Sequence, residues 1–178
     1  MCSGSINDCG KVMIMNAVIV YYSMSGNSKL VAEAIAERIG ADTLELVPVK
    51  QYPDTGFKKY FWGGKSAIMG AKPALQPYSF NADKYDTVII GSPVWASSFA
   101  PPLRTFIEEH REELRRMRKA AFVCFMGSGD QKALAKLTKA LESDSLTAEL
   151  SLVEPKNKSG DTAKKIDDFC RRLTENEA

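Results

Sequence analysis

Five apolar, strand-like runs alternate along this chain with amphipathic helical stretches, and that alternation limits the possible folds more than any other feature. Residues 16–22 (NAVIVYY) form a continuous apolar run rich in branched side chains, as a strand covered on both faces requires. Residues 28–39 are predicted helical. Val31, Ile35 and Ile39 recur every fourth position, and Gly40 is a natural stop. Residues 42–49 (DTLELVPV) form the second strand, and residues 86–95 (DTVIIGSPVW) the third, with Gly91 and Pro93 expected to end it.

A helix over residues 101–117 opens with two prolines, which a first helical turn tolerates. The fourth strand is residues 120–127 (AAFVCFMG). A helix over 130–141 is expected to be capped by Asp130, with Leu134, Leu137 and Leu141 on one face. Residues 146–155 alternate in the manner of an edge strand. The last helix, 161–173, places Ile166, Phe169, Cys170 and Leu173 at i, i+3, i+4 and i+7.

Strands alternating with helices predict an α/β fold: a parallel sheet with helices on both faces. The 178 residues suit one domain. We expect residues 1–15 to be a flexible N-terminal tail, with Met13 or Met15 as an alternative start, and residues 16–178 to be the domain. The exception to the alternation is residues 51–83, which are rich in glycine, proline and aromatic side chains. They are predicted to form a loop insertion with a helix around 58–69, and insertions of that length are usually functional.

Composition narrows the function. The formal net charge of +2 gives no strong field for nucleic acid or acidic lipid. No run approaches the roughly 20 apolar residues that span a bilayer. The four cysteines, Cys2, Cys9, Cys124 and Cys170, form no CxxC, and the single histidine, His110, has no cysteine near it, so no metal site is predicted. Cys124 and Cys170 are expected to be buried free thiols, and the cytoplasm is the expected compartment. His110 lies in a charged helical run (EEHREELRRMRK) and is expected to be solvated; Lys65 is expected to be a surface lysine. No Ser-His-Asp set or carboxylate pair supports hydrolysis.

The chemistry concentrates in Ser23-Met24-Ser25-Gly26-Asn27-Ser28, where the first strand hands over to the first helix. Ligands in open parallel sheets bind at the carboxyl ends of strands, where the next helix presents free N–H groups. Gly26 permits a close turn, three serines offer hydroxyls and Asn27 an amide. Such a segment serves either as an anion cradle or as an ordinary helix cap rich in serine and asparagine. It lacks the lysine of a P-loop, and the chain lacks the G-x-G-x-x-G of a dinucleotide fold. The ligand it suits is a small terminal phosphate held by uncharged donors and the helix dipole, with no cation.

The stretch YYSMSGNSKLVAEAIA resembles the phosphate loop of flavodoxins, T/S-x-T/S-G-N-T/S, with Ser23, Ser25, Gly26, Asn27 and Ser28 at its defining positions. DTVIIGSPVWASSFAPPLRTFI is similar to the segment that ends the third strand and forms a flavin-contacting loop, and FVCFMGSGDQKALAKL to the fourth strand and second flavin loop. YFWGGKSAIMG (60–70) resembles a segment of one subgroup of flavodoxin-like proteins. The resemblance runs from about residue 16 to the C-terminus. It implies a flavodoxin-like three-layer sandwich, its five-stranded parallel sheet in order 2-1-3-4-5, and flavin mononucleotide (FMN) as cofactor. It places the phosphate on residues 23–28. The ring would lie between Ser92, Pro93, Val94, Trp95, Ala96 and Phe99 on one side and Gly127, Ser128, Gly129 and Asp130 on the other.

Two departures from the family pattern matter. The second loop, GSGDQKA, has no aromatic to stack on the ring, which leaves one face open or covered by Tyr60, Phe61 or Trp62. Ala96 follows Trp95 where carrier flavodoxins often have glycine. A peptide flip needing positive φ there costs about 1 kcal/mol more than with glycine, so the half-reduced flavin is expected to be weakly stabilised. The resemblance implies an electron-transfer protein serving a redox partner protein or a small-molecule acceptor such as a quinone. The alternative is an FMN-dependent NAD(P)H:quinone oxidoreductase, favoured by the open second loop and by the 51–83 insertion, because a substrate must stack on the ring. The near-neutral charge also departs from the strongly acidic surface with which carrier flavodoxins commonly dock.

Overall fold

The computed structural model describes residues 15–50, 52, 70–157 and 160–175. Residues 1–14 of the expected tail, the expected helix around 58–69, Tyr60, Phe61, Trp62, Lys65, Cys2 and Cys9 lie outside the described residues. Met15, the last residue of that tail, is instead buried in the core and donates its N–H to Ile39 O at 3.1 Å.

The elements in chain order are β1 (Ala17–Tyr21), α1 (Asn27–Ile39), β2 (Asp42–Glu45), β3 (Thr87–Trp95), β4 (Ser98–Phe99), α2 (Pro101–Glu109), α3 (Arg111–Arg115), β5 (Arg118–Phe125), α4 (Asp130–Ala140), β6 (Glu149–Val153) and α5 (Thr162–Glu175). The long strands pair in parallel in the order β2-β1-β3-β5-β6. This is the predicted 2-1-3-4-5 order, with one addition. β4 is a two-residue strand that folds back antiparallel on the end of β3, pairing Val94 with Phe99 and Trp95 with Ser98.

Apolar side chains leave the sheet on both faces because every central strand is sandwiched. On one face Ile19, Ile89, Phe122 and Leu152 meet Val31 and Ile35 of α1 and Ile166, Phe169 and Leu173 of α5. On the other, Val20, Ile90 and Val123 meet Leu103 and Phe106 of α2, Leu114 of α3, and Leu134 and Leu137 of α4. The periodic positions predicted for these helices are the buried ones. Cys124 and Cys170 are buried free thiols, as expected.

Three local expectations are corrected. β3 does not end at Gly91 or Pro93 but runs through both to Trp95. Gly91 answers a packing need, since a Cβ there would stand 2.2 Å from the tip of the Phe122 ring on the neighbouring strand. The helix expected over 101–117 breaks at His110, which separates α2 from α3. His110 is not a solvated helix residue. Its ring packs 4.7 Å from those of Phe80 and Phe106, and its Nε2 lies 2.9 Å from the Tyr78 hydroxyl, which donates to Glu109 at 2.6 Å. The aromatic residues of the preceding irregular segment supply this environment, and no helical periodicity reports them.

Candidate ligand site at the carboxyl edge of the sheet

In a parallel sheet the carboxyl ends of β1, β3 and β5 lie along one edge, so the segments that follow them converge. They carry the three loops singled out in the sequence, residues 23–28, 92–99 and 127–130, of which 92–95 form the end of β3 itself.

The first loop turns into α1 at Gly26, whose φ of 83° is left-handed, a conformation glycine adopts without penalty. No side chain caps the helix from that position. The opening N–H groups of a helix have no intrahelical acceptor. Here the Lys29 N–H donates to Ser23 Oγ at 3.2 Å and the Leu30 N–H to Gly26 O at 3.0 Å. The N–H groups of Asn27 and Ser28 are therefore left at the head of the helix, where its dipole favours an anion. Asn27 Nδ2 donates to Ser25 Oγ at 3.2 Å, which fixes the shape of the turn. Ser28 is 1% exposed, and its Oγ has no hydrogen-bond partner of ordinary geometry. It lies beside the Cys124 thiol, which burial pushes up to about 12 against the opposing influence of Ser28.

The expectation of a loop without a cation is corrected. Lys156, three residues beyond β6, reaches across to this turn. Its Nζ donates to Ser25 O at 3.2 Å, and its backbone N–H donates to Asn27 Oδ1 at 3.1 Å. A Cβ on Gly26 would stand 3.1 Å from Lys156 Nζ. Spacing along the chain hides this residue, which is 129 positions from Asn27. Its one sequence signal is its place just after a strand, at the same edge as the other loops.

The second loop is a tight hairpin. Ala96 and Ser97 connect β3 to β4 with φ of 48° and 55°, positive at both central residues as in the two-residue hairpin turns. The positive φ that the flip at Ala96 was expected to require is thus already present. Two expected ligand side chains are turned inward. Ser92 is fully buried, with its Oγ accepting the Ala100 N–H at 2.9 Å and donating to Pro93 O at 2.8 Å. Phe99 is 1% exposed and carries the Arg104 guanidinium 4.7 Å from its ring centre. Both are held by packing that local sequence does not display. Pro93, Val94 and Trp95 are half-buried and Ala96 is exposed.

Trp95 does not stand alone beside the third loop. Its ring meets Tyr22 edge-on at 5.6 Å and Tyr52 at 5.1 Å, and these tyrosines contact each other at 6.3 Å. Tyr22 and Tyr52 line a cavity of about 270 Å³ with Ser23, Met24, Glu45, Leu46, Val47 and Pro48. Burial, together with the neighbouring Tyr52, raises the Tyr22 phenol above its ordinary range. Below this group Tyr21 donates to Glu45, which also pairs with Lys29 at 3.3 Å.

In the third loop Gly127 and Ser128 are exposed, and Gly129 precedes α4 with φ of 99°. Gly129, not Asp130, occupies the cap position, and Asp130 is the first residue of the helix. Partial burial works against ionisation of Asp130. The nearby Ser151 hydroxyl and Gln131, whose Nε2 donates to Asp130 Oδ2 at 3.2 Å, outweigh it and hold the carboxyl below the usual range. Among the described residues no group of three metal-ligating side chains converges, and no helix is long and apolar enough to cross a membrane.

Solved structures share this fold. A flavoprotein from Lactobacillus acidophilus, crystallised in complex with FMN, matches with a TM-score of 0.67 at 22% identity, over 86% of this chain and 97% of its own. A flavodoxin from the domain Archaea matches with a TM-score of 0.55 at 16% identity, over 90% of this chain and 96% of its own. The Trp repressor binding protein from Bacillus subtilis matches with a TM-score of 0.55 at 15% identity, over 89% and 98%. Residues 69–157, half of the chain, match the flavodoxin domain family. With the strand order and the three loops at one edge of the sheet, that match makes this chain a member of the flavodoxin domain family.

Proposed function

We propose that this chain binds FMN at the carboxyl edge of its sheet and serves as an electron-transfer protein. The carrying observation is the head of α1. A left-handed Gly26 leaves the Asn27 and Ser28 N–H groups open among Ser23, Ser25 and Lys156, a donor set suited to a terminal phosphate. The buried, unpartnered Ser28 hydroxyl beneath the turn fits the same group. The Lactobacillus acidophilus flavoprotein, of the same fold, was crystallised with FMN.

When bound, FMN supplies the redox chemistry. The protein's part is to hold and surround it. Residues 23–28 seat the phosphate. The Trp95 hairpin and residues 127–130 form the walls at the ring's end of the site, where backbone N–H and C=O groups supply polar contacts. The buried Tyr22 and the half-buried Tyr52 and Trp95 supply apolar and aromatic surface.

A second reading is an FMN-dependent NAD(P)H oxidoreductase acting on a quinone or related acceptor. One observation favours it: residues 127–130 carry no aromatic side chain, so nothing from this loop stacks on the ring in place of a substrate. The test is direct. The purified protein should be yellow and release FMN on denaturation; a protein that takes up no FMN refutes the proposal. NADPH oxidation with a quinone, without a second protein, selects the oxidoreductase; its absence, with reduction by a partner protein, selects the carrier.

A further inference from the structure

We propose that Lys156 is a phosphate-recognising cation of this site and makes the protein select phosphorylated flavin over unphosphorylated flavin. This rests on the reading of residues 23–28 as the FMN phosphate seat.

The geometry that delivers Lys156 is specific. The chain leaves β6 through Glu154, which holds a φ of 41° although it is not glycine. Strained backbone of this kind persists only where its surroundings enforce it. The Glu154 N–H donates to Phe125 O at 3.0 Å, and the Asn157 N–H closes a turn on Glu154 O at 2.8 Å. Pro155 is buried, which anchors the turn. The result carries Lys156 from the far side of β5 and β3 to the head of α1. Its main chain clasps Asn27 and its ammonium rests on the carbonyl of Ser25.

An ammonium has three donors, and Ser25 O takes one. No carboxylate among the described residues pairs with Lys156, whereas the adjacent Lys29 is committed to Glu45. The ammonium is therefore positioned with donors to spare, next to the Asn27 and Ser28 N–H groups and at the positive end of the α1 dipole. Two positive features side by side are unfavourable unless an anion joins them. A phosphate supplies that anion, and riboflavin, which ends in a hydroxyl, does not.

The experiment titrates apo-protein with FMN and with riboflavin, following flavin fluorescence, for the wild type, Lys156→Gln and Lys156→Arg. Lys156→Gln should weaken FMN binding about tenfold, leave riboflavin binding unchanged, and flatten the salt dependence of FMN binding. Lys156→Arg should restore most of the loss. A purely structural role, through the contact with Ser25, would weaken both flavins equally and overturn the proposal. Unchanged FMN affinity in Lys156→Gln would overturn it while leaving FMN binding intact. Failure of the wild type to bind FMN would remove both the proposal and the reading beneath it.

Discussion

Ser97 at the tip of the β3–β4 hairpin and Gly129 at the head of α4 meet so closely that a Cβ on Gly129 would lie 2.6 Å from Ser97 Oγ and 3.1 Å from Ser97 Cα. The second and third loops of the candidate site are therefore a single packed unit. Gly129 is needed twice, for its φ of 99° and for its missing side chain.

Gly129→Ala should accordingly destabilise the fold by about 2 kcal/mol, the sum of a strained left-handed residue and overpacking against backbone. Flavin affinity should fall with it, because both loops shift. Urea denaturation and a flavin titration measure the two effects, and an unaffected variant would mean that the hairpin yields freely.

Ala96 carries the opposite signature. Holding an alanine at φ 48° costs about 1–2 kcal/mol, against roughly 0.5–1 kcal/mol of added unfolded-chain entropy for glycine. Ala96→Gly should therefore raise stability by about 0.5–1 kcal/mol, read as a shift in urea midpoint without a change in slope.

Gly91 is constrained by its neighbour and not by its backbone. A Cβ there would meet three atoms of the Phe122 ring within 2.2–2.9 Å, and both residues are buried. Gly91→Ala should cost about 1–3 kcal/mol through displaced packing. Adding Phe122→Leu should recover part of that cost, a coupling that a double-mutant cycle would expose.

Ser25→Asp places a carboxylate beside the Lys156 ammonium and the proposed phosphate seat. Thermal stability should change little, since Ser25 is exposed, while FMN affinity should drop at least tenfold through charge repulsion. Riboflavin binding is the control and should hold. Equal FMN binding by the variant and the wild type would place the phosphate elsewhere.

The buried thiols predict an alkaline weakness. Burial pushes Cys124 up to about 12 and Cys170 to about 11, from an ordinary value of 9.0. Above pH 9 the unfolded thiols lose protons that the folded ones keep, so the unfolded state binds fewer protons and stability falls as pH rises. The decline should begin near pH 9 and continue through pH 11. The buried phenols of Tyr21 and Tyr22, also raised by burial, add to it above pH 10. In Cys124→Ala, denaturation midpoints between pH 9 and 10 should fall less steeply than in the wild type, whatever the variant's stability at pH 7.

The layered fold was legible in the sequence because burial on one helix face, or on both faces of a strand, imposes a periodicity that residues such as Val31, Ile35, Phe169 and Leu173 display locally. The serine- and glycine-rich turn at 23–28 was legible for a similar reason, since a left-handed Gly26 at a strand–helix junction is a local requirement. The remainder depended on contacts between distant segments. The sheet places Lys156 against Asn27 and Phe122 against Gly91. Packing turns Ser92 and Phe99 inward and gathers Tyr22, Tyr52 and Trp95. It also draws His110 into an aromatic cluster. No spacing encodes these pairings, because each is set by which surfaces remain to be buried once the strands have taken their order.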